Sequence, residues 1–327
     1  MSTALRWGIL STARINRSLI PALRLSPRNQ LVGVASRSLE KAAVYAREWD
    51  IPKSYGSYED LLADTEIDVV YNPLPNHLHA PWTIQAIQAG KNVLVEKPLA
   101  LSVEEFDTVA NAARQAGVFV AEAFTHRHHE KTRKVVELVH SGAIGRLCQV
   151  RSSFNLMLNN PADYRWQPDQ GGGCLWDVGC YLVDYSRMIA GSAPLEVFGY
   201  PIFSASGVDE SFNGILRFPE DVVSNFDCSF HLPRYTQLEI YGEEGTLVAP
   251  EPYRVEHGSQ VWLKRGDHEE VLTFPARNRY LDEVEDAARV LLDGHAPALS
   301  LEDSRQNVVT LEALLLSGRV HHPVQLE

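Results

Sequence analysis

With 327 residues, the chain exceeds the length at which one hydrophobic core usually keeps growing, so two domains of unequal character are expected. Its 45% hydrophobic and 22% charged residues are those of an ordinary globular protein and exclude disordered or collagen-like chains. A formal net charge of -12 without any dense basic run argues against a nucleic-acid binder, because affinity for the phosphate backbone comes from clustered Lys and Arg.

No apolar stretch approaches the roughly 20 residues that a bilayer span needs, and Met1 to Arg6 leads straight into a strand, so a cytoplasmic protein without membrane contact is expected. Cys148, Cys174, Cys180 and Cys228 lack C-x-x-C spacing and read as reduced and structural, with a catalytic role for Cys180 left open.

The first third alternates apolar runs with amphipathic segments: Leu5 to Leu10 then Ile15 to Leu25, Leu31 to Ala35 then Leu39 to Trp49, Val69 to Tyr71 then Ala80 to Ala89, Asn92 to Val95 then Val103 to Ala116, and Val118 to Ala121. Runs that are apolar throughout suit strands covered on both faces, so this α/β series predicts a doubly wound parallel sheet of Rossmann type over residues 1–123. Beyond residue 124 longer strand-like stretches follow one another: Cys148 to Leu156, Phe212 to Phe218, Val222 to Phe230, Gln237 to Tyr241 and Val261 to Lys264. They predict a C-terminal α+β domain, 124–327, with a large, mostly antiparallel open sheet that binds substrate and a second subunit. Helices are expected over Tyr280 to Leu292 and Leu301 to Arg319, with Gly294 and Gly318 as their stops.

After the first strand comes Gly8-Ile9-Leu10-Ser11-Thr12-Ala13-Arg14-Ile15-Asn16, where a dinucleotide-binding fold places a tight turn opening a helix. The usual glycine positions fall on Ser11, Ala13 and Asn16, so the fingerprint is degenerate, and a plain strand-to-helix turn with a Ser or Thr cap is the alternative. Ser11 and Thr12 add hydroxyl donors for a pyrophosphate. The second strand ends at Ser36-Arg37-Ser38 with Lys41 following, and no carboxylate stands where an NAD enzyme grips the ribose 2'-hydroxyl. Arg37 and Lys41 suit a 2'-phosphate, so NADP is preferred over NAD, unless both are merely solvated charges.

Lys97 sits between Glu96 and Pro98, and the residue before a proline is held out of the helical region. It therefore stands at the mouth of the sheet, where ligands bind. Further on, Gly171-Gly172-Gly173 precedes Asp177 and Tyr181, four residues apart and so neighbours on a helix. A carboxylate, a phenol and an amine supply a substrate anchor, a proton carrier and an electrostatic tuner; an ordinary amphipathic helix is the alternative.

At this point the sequence resembles the glucose-fructose oxidoreductase, inositol dehydrogenase and rhizopine-catabolism (Gfo/Idh/MocA) family. The resemblance spans the chain and rests on the turn after strand one, Pro75-Asn76-His77-Leu78-His79, Glu96-Lys97-Pro98, Glu122-Ala123-Phe124 and the segment from Gly171 to Asp184. Many members carry His where this chain has Tyr181, and the Tyr version is similar to the branch holding glucose-fructose oxidoreductase, dimeric dihydrodiol dehydrogenase and NADP-dependent xylose dehydrogenases. The resemblance implies that Asn76 and His79 line the nicotinamide ribose and pyrophosphate, that Glu96 borders the nicotinamide, and that Arg165 and Trp166 reach the cofactor from the second domain. It implies no metal, although His77, His79, His126, His128 and His129 are close in sequence.

The expected reaction moves a hydride between nicotinamide and a carbinol carbon of a sugar or polyol, with Lys97, Tyr181 and Asp177 catalytic. A phenol of ordinary pKa near 10 needs help at neutral pH, which the Lys97 ammonium supplies; the reverse assignment, Lys97 as proton carrier, stays open. A ketosugar reductase, a trans-dihydrodiol dehydrogenase, an NAD-dependent glycoside-cleaving enzyme and a nucleotide-sensing regulator without turnover are the alternatives. A helix-free sheet face points to a homo-oligomer, dimer or tetramer.

Overall fold

The computed structural model describes residues 4–326. In its first third the apolar and amphipathic runs become β1 (Leu5–Leu10), α1 (Asn16–Leu25), β2 (Asn29–Ala35), α2 (Leu39–Glu48), β3 (Lys53–Tyr55), α3 (Tyr58–Ala63), β4 (Val69–Asn72), α4 (His79–Gln88), β5 (Asn92–Glu96), α5 (Val103–Ala116) and β6 (Val120–Ala123). The six strands are parallel in the order β3-β2-β1-β4-β5-β6. Strand order reverses between β1 and β4, which places a ligand crevice at the carboxyl ends of these strands. Helices cover both faces: Trp7, Ile9, Val69 and Tyr71 are fully buried, with Leu19, Ile20 and Leu23 of α1 packed on them. β3 and α3 lie outside the sequence expectations. Lys-Ser-Tyr offers no apolar run, and α3, six residues long, is fixed by its cap, Ser57 Oγ accepting from the Asp60 amide at 3.0 Å.

The second half carries α6 (Glu130–His140), β7 (Leu147–Met157), a π-helical turn (Leu175–Gly179) running into α7 (Cys180–Ala190), then β8 (Glu196–Phe203), β9 (Asp209–Arg217), β10 (Val223–Ser229), β11 (His231–Gly242), β12 (Thr246–Pro250), β13 (Ser259–Arg265) and β14 (His268–Phe274). With β15 (Val324–Gln325) they form a nine-stranded sheet, β14-β13-β12-β11-β7-β10-β9-β8-β15, in which only the β10–β7 pair among those described is parallel. Burial alternates along β9, β10 and β12, so one face is covered and the other is not.

Two compact units result, one ending at His128 and taking back Asn278–Arg305, the other His129–Arg277 with the segment from Gln306 onward. The expected single division at 123/124 differs from this by the return of α8 (Arg279–Asp293), whose Tyr280, Val284, Ala287 and Ala288 complete the core beside α1. Gly294 ends α8 in the left-handed conformation, φ 72°. Gly318 does not end α9 (Leu301–Val320). It lies inside the helix, and a Cβ there would stand 2.5 Å from the Pro201 ring on β8. This glycine marks a close approach rather than a stop.

Candidate functional site

In the first unit the turn after β1 holds Ser11 at φ 69°, a left-handed conformation where the fingerprint wants glycine. Asn16 Nδ2 donates to the Ser11 carbonyl at 3.0 Å, while the buried Ser11 Oγ has no hydrogen-bond partner. Beside it α1 starts after Ile15 with no capping side chain and no acidic residue in its first turn. An orphaned hydroxyl at an open, positive helix end is a fit for a phosphate group. Thr12, Ala13 and Arg14 line an open cleft of about 680 Å³ with Arg17, Lys41 and Tyr45, also edged by Glu40 and Glu48. A second hollow gathers Ser11, Thr12, Ser36, Arg37, Ser38, Lys41 and Tyr58. The structure thus brings the residues expected at the two strand ends into adjoining cavities. Ile15 is the exception, partly buried against the core.

The Lys97 turn is braced on several sides. The Lys97–Pro98 peptide is cis. His79 Nδ1 lies 2.7 Å from the Pro98 carbonyl, and its Nε2 is 2.6 Å from that of Leu74; the ring is 1% exposed. Burial pulls the His79 imidazole down to about 4. Next along the chain, the Leu99 amide donates to buried Glu122 Oε1 at 2.9 Å. Tyr71 on β4 donates its phenol proton to Glu96 Oε1 at 2.5 Å, and burial pushes the Glu96 carboxyl above its usual range. Asn76 is buried at the start of the short turn before α4.

In the second unit, Arg165 and Trp166 occupy a 3-10 turn. Arg165 Nε pairs with Asp177 Oδ2 at 2.8 Å and its Nη1 reaches Asp163 at 3.3 Å; the Asp177 charge in particular raises the guanidinium pKa. The Trp166 ring meets Phe230 edge-on, 5.4 Å between centroids. Asp177 is 4% exposed and lies in the π-helical turn, not on the regular helix expected; Tyr181 follows in the first turn of α7. Wider π turns are frequent where a helix aims functional side chains. Gly173, at φ 117°, leaves no room for a Cβ because Asp209 from β9 crosses there to accept the Leu175 amide at 2.7 Å. The Tyr181 ring packs on Phe154 and Tyr253, centroids 5.8 and 5.2 Å away.

Cys180 is buried, and its thiol donates to the Asp177 carbonyl at 3.5 Å. Tyr71, Glu122, Asp209 and Tyr253 carry no sequence signal of their roles beyond Glu122 lying in a quoted motif. Each acts through a partner more than twenty residues away.

Comparison with known proteins agrees along the chain. Residues 5–124 match the family model described as an oxidoreductase family with an NAD-binding Rossmann fold, and residues 132–248 match the GFO/IDH/MocA C-terminal domain. D-xylose 1-dehydrogenase (NADP(+)) 2 of Haloferax volcanii is 36% identical, with 98% of this chain and 99% of that one covered. The trans-1,2-dihydrobenzene-1,2-diol dehydrogenase of Xenopus laevis is 32% identical over 98% of this chain and all, 100%, of its own. Among solved structures, a 3-ketoreductase from Actinomadura kijaniata in complex with NADP and TDP-benzene superposes with a TM-score of 0.90 at 27% identity, covering 96% and 98% of the two chains.

Proposed function

The chain belongs to the GFO/IDH/MocA family of oxidoreductases, and from that premise we propose that it uses NADP to oxidise a carbinol carbon of a sugar or polyol, or to reduce the matching carbonyl. The observation that carries the reading is the basic hollow at the ends of β1 and β2, where Arg37 and Lys41 stand beside Ser11, Thr12 and Ser36 with no carboxylate at the end of β2. A ribose 2'-phosphate would take forked hydrogen bonds from Arg37 and a point charge from Lys41. Ser11 to Arg14 and the start of α1 would hold the pyrophosphate; Asn76, Glu96, Lys97, Arg165 and Trp166 would border the nicotinamide end. His79, its ring covered, would act there by bracing Pro98.

When bound, the nicotinamide supplies the redox step, and this chain supplies alignment and charge. Tyr181 would exchange the hydroxyl proton, the Lys97 ammonium would stabilise the phenolate, and Asp177, held by Arg165, would accept from a neighbouring hydroxyl. The relatives support this arrangement because xylose and a 1,2-diol both offer vicinal oxygens. A 3-ketoreductase at 27% identity favours the reductive direction as the second reading. A homodimer completes the proposal: Tyr200, Ile202 and Ile215 leave apolar side chains 44–58% exposed on β8 and β9.

The test is a screen of aldoses, polyols and ketosugars with NADP and then NAD, followed by nicotinamide absorbance, on the wild type, Lys97→Ala and Tyr181→Phe. Turnover by the wild type with NADP, cut at least a hundredfold in both variants, is the expected result. Near-normal turnover in both would remove Lys97 and Tyr181 from the chemistry, and turnover of no substrate would favour a nucleotide sensor.

A further inference from the structure

We propose that Glu283 and Glu96 hold one proton between them behind Lys97, and that Glu283, His128 and Asp286 pass the reaction proton between that lysine and solvent; this rests on the catalytic assignment of Lys97 above. All these residues belong to the first unit.

Glu283 faces inward from α8, 1% exposed, and neither of its carboxyl oxygens has a hydrogen-bond partner. A buried carboxylate in that state is several kcal/mol worse off than the neutral acid. The groups acting on it are Glu96 at the end of β5 and Asp286 on α8, both disfavouring its charge, and Arg279 on α8, favouring it. Glu96 already accepts the Tyr71 proton at 2.5 Å and feels the Lys97 and Arg279 cations, so it is the member that ionises. Burial and the Glu96 charge hold the Glu283 carboxyl well above its usual range, so it is the member that keeps the proton.

On the outer side, His128 closes the chain to solvent. Its Nε2 is 4.0 Å from Glu283 Oε1 and its Nδ1 3.7 Å from Asp286 Oδ2, gaps that a small side-chain shift or one bridging water closes. Burial pulls His128 down to about 4, so its ring is neutral, with one nitrogen to accept and one to donate. Asp286 also accepts from Arg289, whose side chain is 45% exposed.

During oxidation the Lys97 ammonium gives one proton to Glu96, and the neutral amine so formed takes up the proton released by the reaction, which restores the ammonium. Glu283 passes its own proton to His128 Nε2, Nδ1–H passes to Asp286 and on to water, and the Glu96 proton restores Glu283. One proton enters and one leaves, and no bond to carbon changes.

The test begins with the cofactor-free protein at pH 8. Its infrared spectrum should show the C=O stretch of a protonated carboxyl, shifted in D2O and absent in Glu283→Gln; a wild type without that band overturns the proposal. With NADP and whichever aldose or polyol the screen identifies, Glu283→Gln should move the limb of the kcat–pH profile by one unit or more and change the solvent isotope effect on kcat, at unchanged KM for NADP. An unchanged profile and isotope effect overturn the relay while leaving Lys97 in place, whereas a fully active Lys97→Ala removes the assignment beneath it. Should Glu283→Gln not fold, Tyr71→Phe, which deletes the donor to Glu96, should shift the same band; an unmoved band means the two carboxyls do not share a proton.

Discussion

Asp209→Asn tests the electrostatics that shape the head of the Asp177 and Tyr181 segment. The Asp209 carboxyl is 4% exposed, and burial pushes it up to about 6 although it accepts from the Leu175 amide at 2.7 Å and the Cys174 thiol at 3.2 Å. In the unfolded chain its value is near 3.8. Because the folded value is the higher one, its stabilising contribution is complete below pH 4 and is lost as pH rises through 6. The unfolded chain gives up this proton first. A gap of about two pH units at about 1.4 kcal/mol each amounts to about 3 kcal/mol. Asn keeps the acceptor for the Leu175 amide and carries no charge, so it should escape this loss. Urea unfolding of both proteins from pH 4 to pH 8 gives the comparison: the stability difference should move by about 3 kcal/mol in favour of the variant up to pH 7 and then stay flat. Turnover should survive, since the helix head keeps its cap. A difference that does not change with pH would refute the account of Asp209 as a carboxyl charged at a cost.

Replacing both Arg37 and Lys41 by Ala should raise KM for NADP roughly tenfold or more, the loss of about 1.5–3 kcal/mol expected for contacts to a charged group reduced by the solvent exposure of both side chains, with KM for NAD little changed. Steady-state kinetics at low and high salt check this, and equal losses for both nucleotides would contradict it. Gly318→Ala should destabilise by about 1–3 kcal/mol in thermal unfolding, because its Cβ meets the Pro201 ring while the gain in helix propensity is only about 1 kcal/mol. His79, pulled down to about 4 in the fold, stays neutral where the unfolded chain protonates, so stability present above about 6.5 is lost as pH falls toward 4. His79→Gln should flatten that acid slope and lower kcat by loosening the Pro98 carbonyl contact, measurable by urea unfolding and by turnover at pH 7.

Several residues proposed for the cofactor end lie where a local rule puts them. Lys97 ends an apolar strand before a proline, Ser11 to Arg14 sit in the first strand-to-helix turn, and Arg37 ends the second strand, so short-range signals suffice. The π-helical turn was not legible, and neither was the partner at its head: Asp209 arrives from β9 to take the Leu175 amide over a glycine with no Cβ to exclude it. Nor was the return of α8, whose burial of Glu283 beside Glu96 joins residues nearly two hundred positions apart. The carboxyls with raised pKa values, Glu96, Asp209 and Glu283, owe them to burial by elements distant in sequence, and periodicity within a strand or helix holds no record of which distant charge will face it. Motifs at strand ends thus point to where the proposed cofactor would lie. The raised proton affinities of Glu283 and Asp209 are set by tertiary packing, which buries one on α8 and the other on β9. The two can therefore be altered separately, Lys97→Ala touching the first and Glu283→Gln or Asp209→Asn the second.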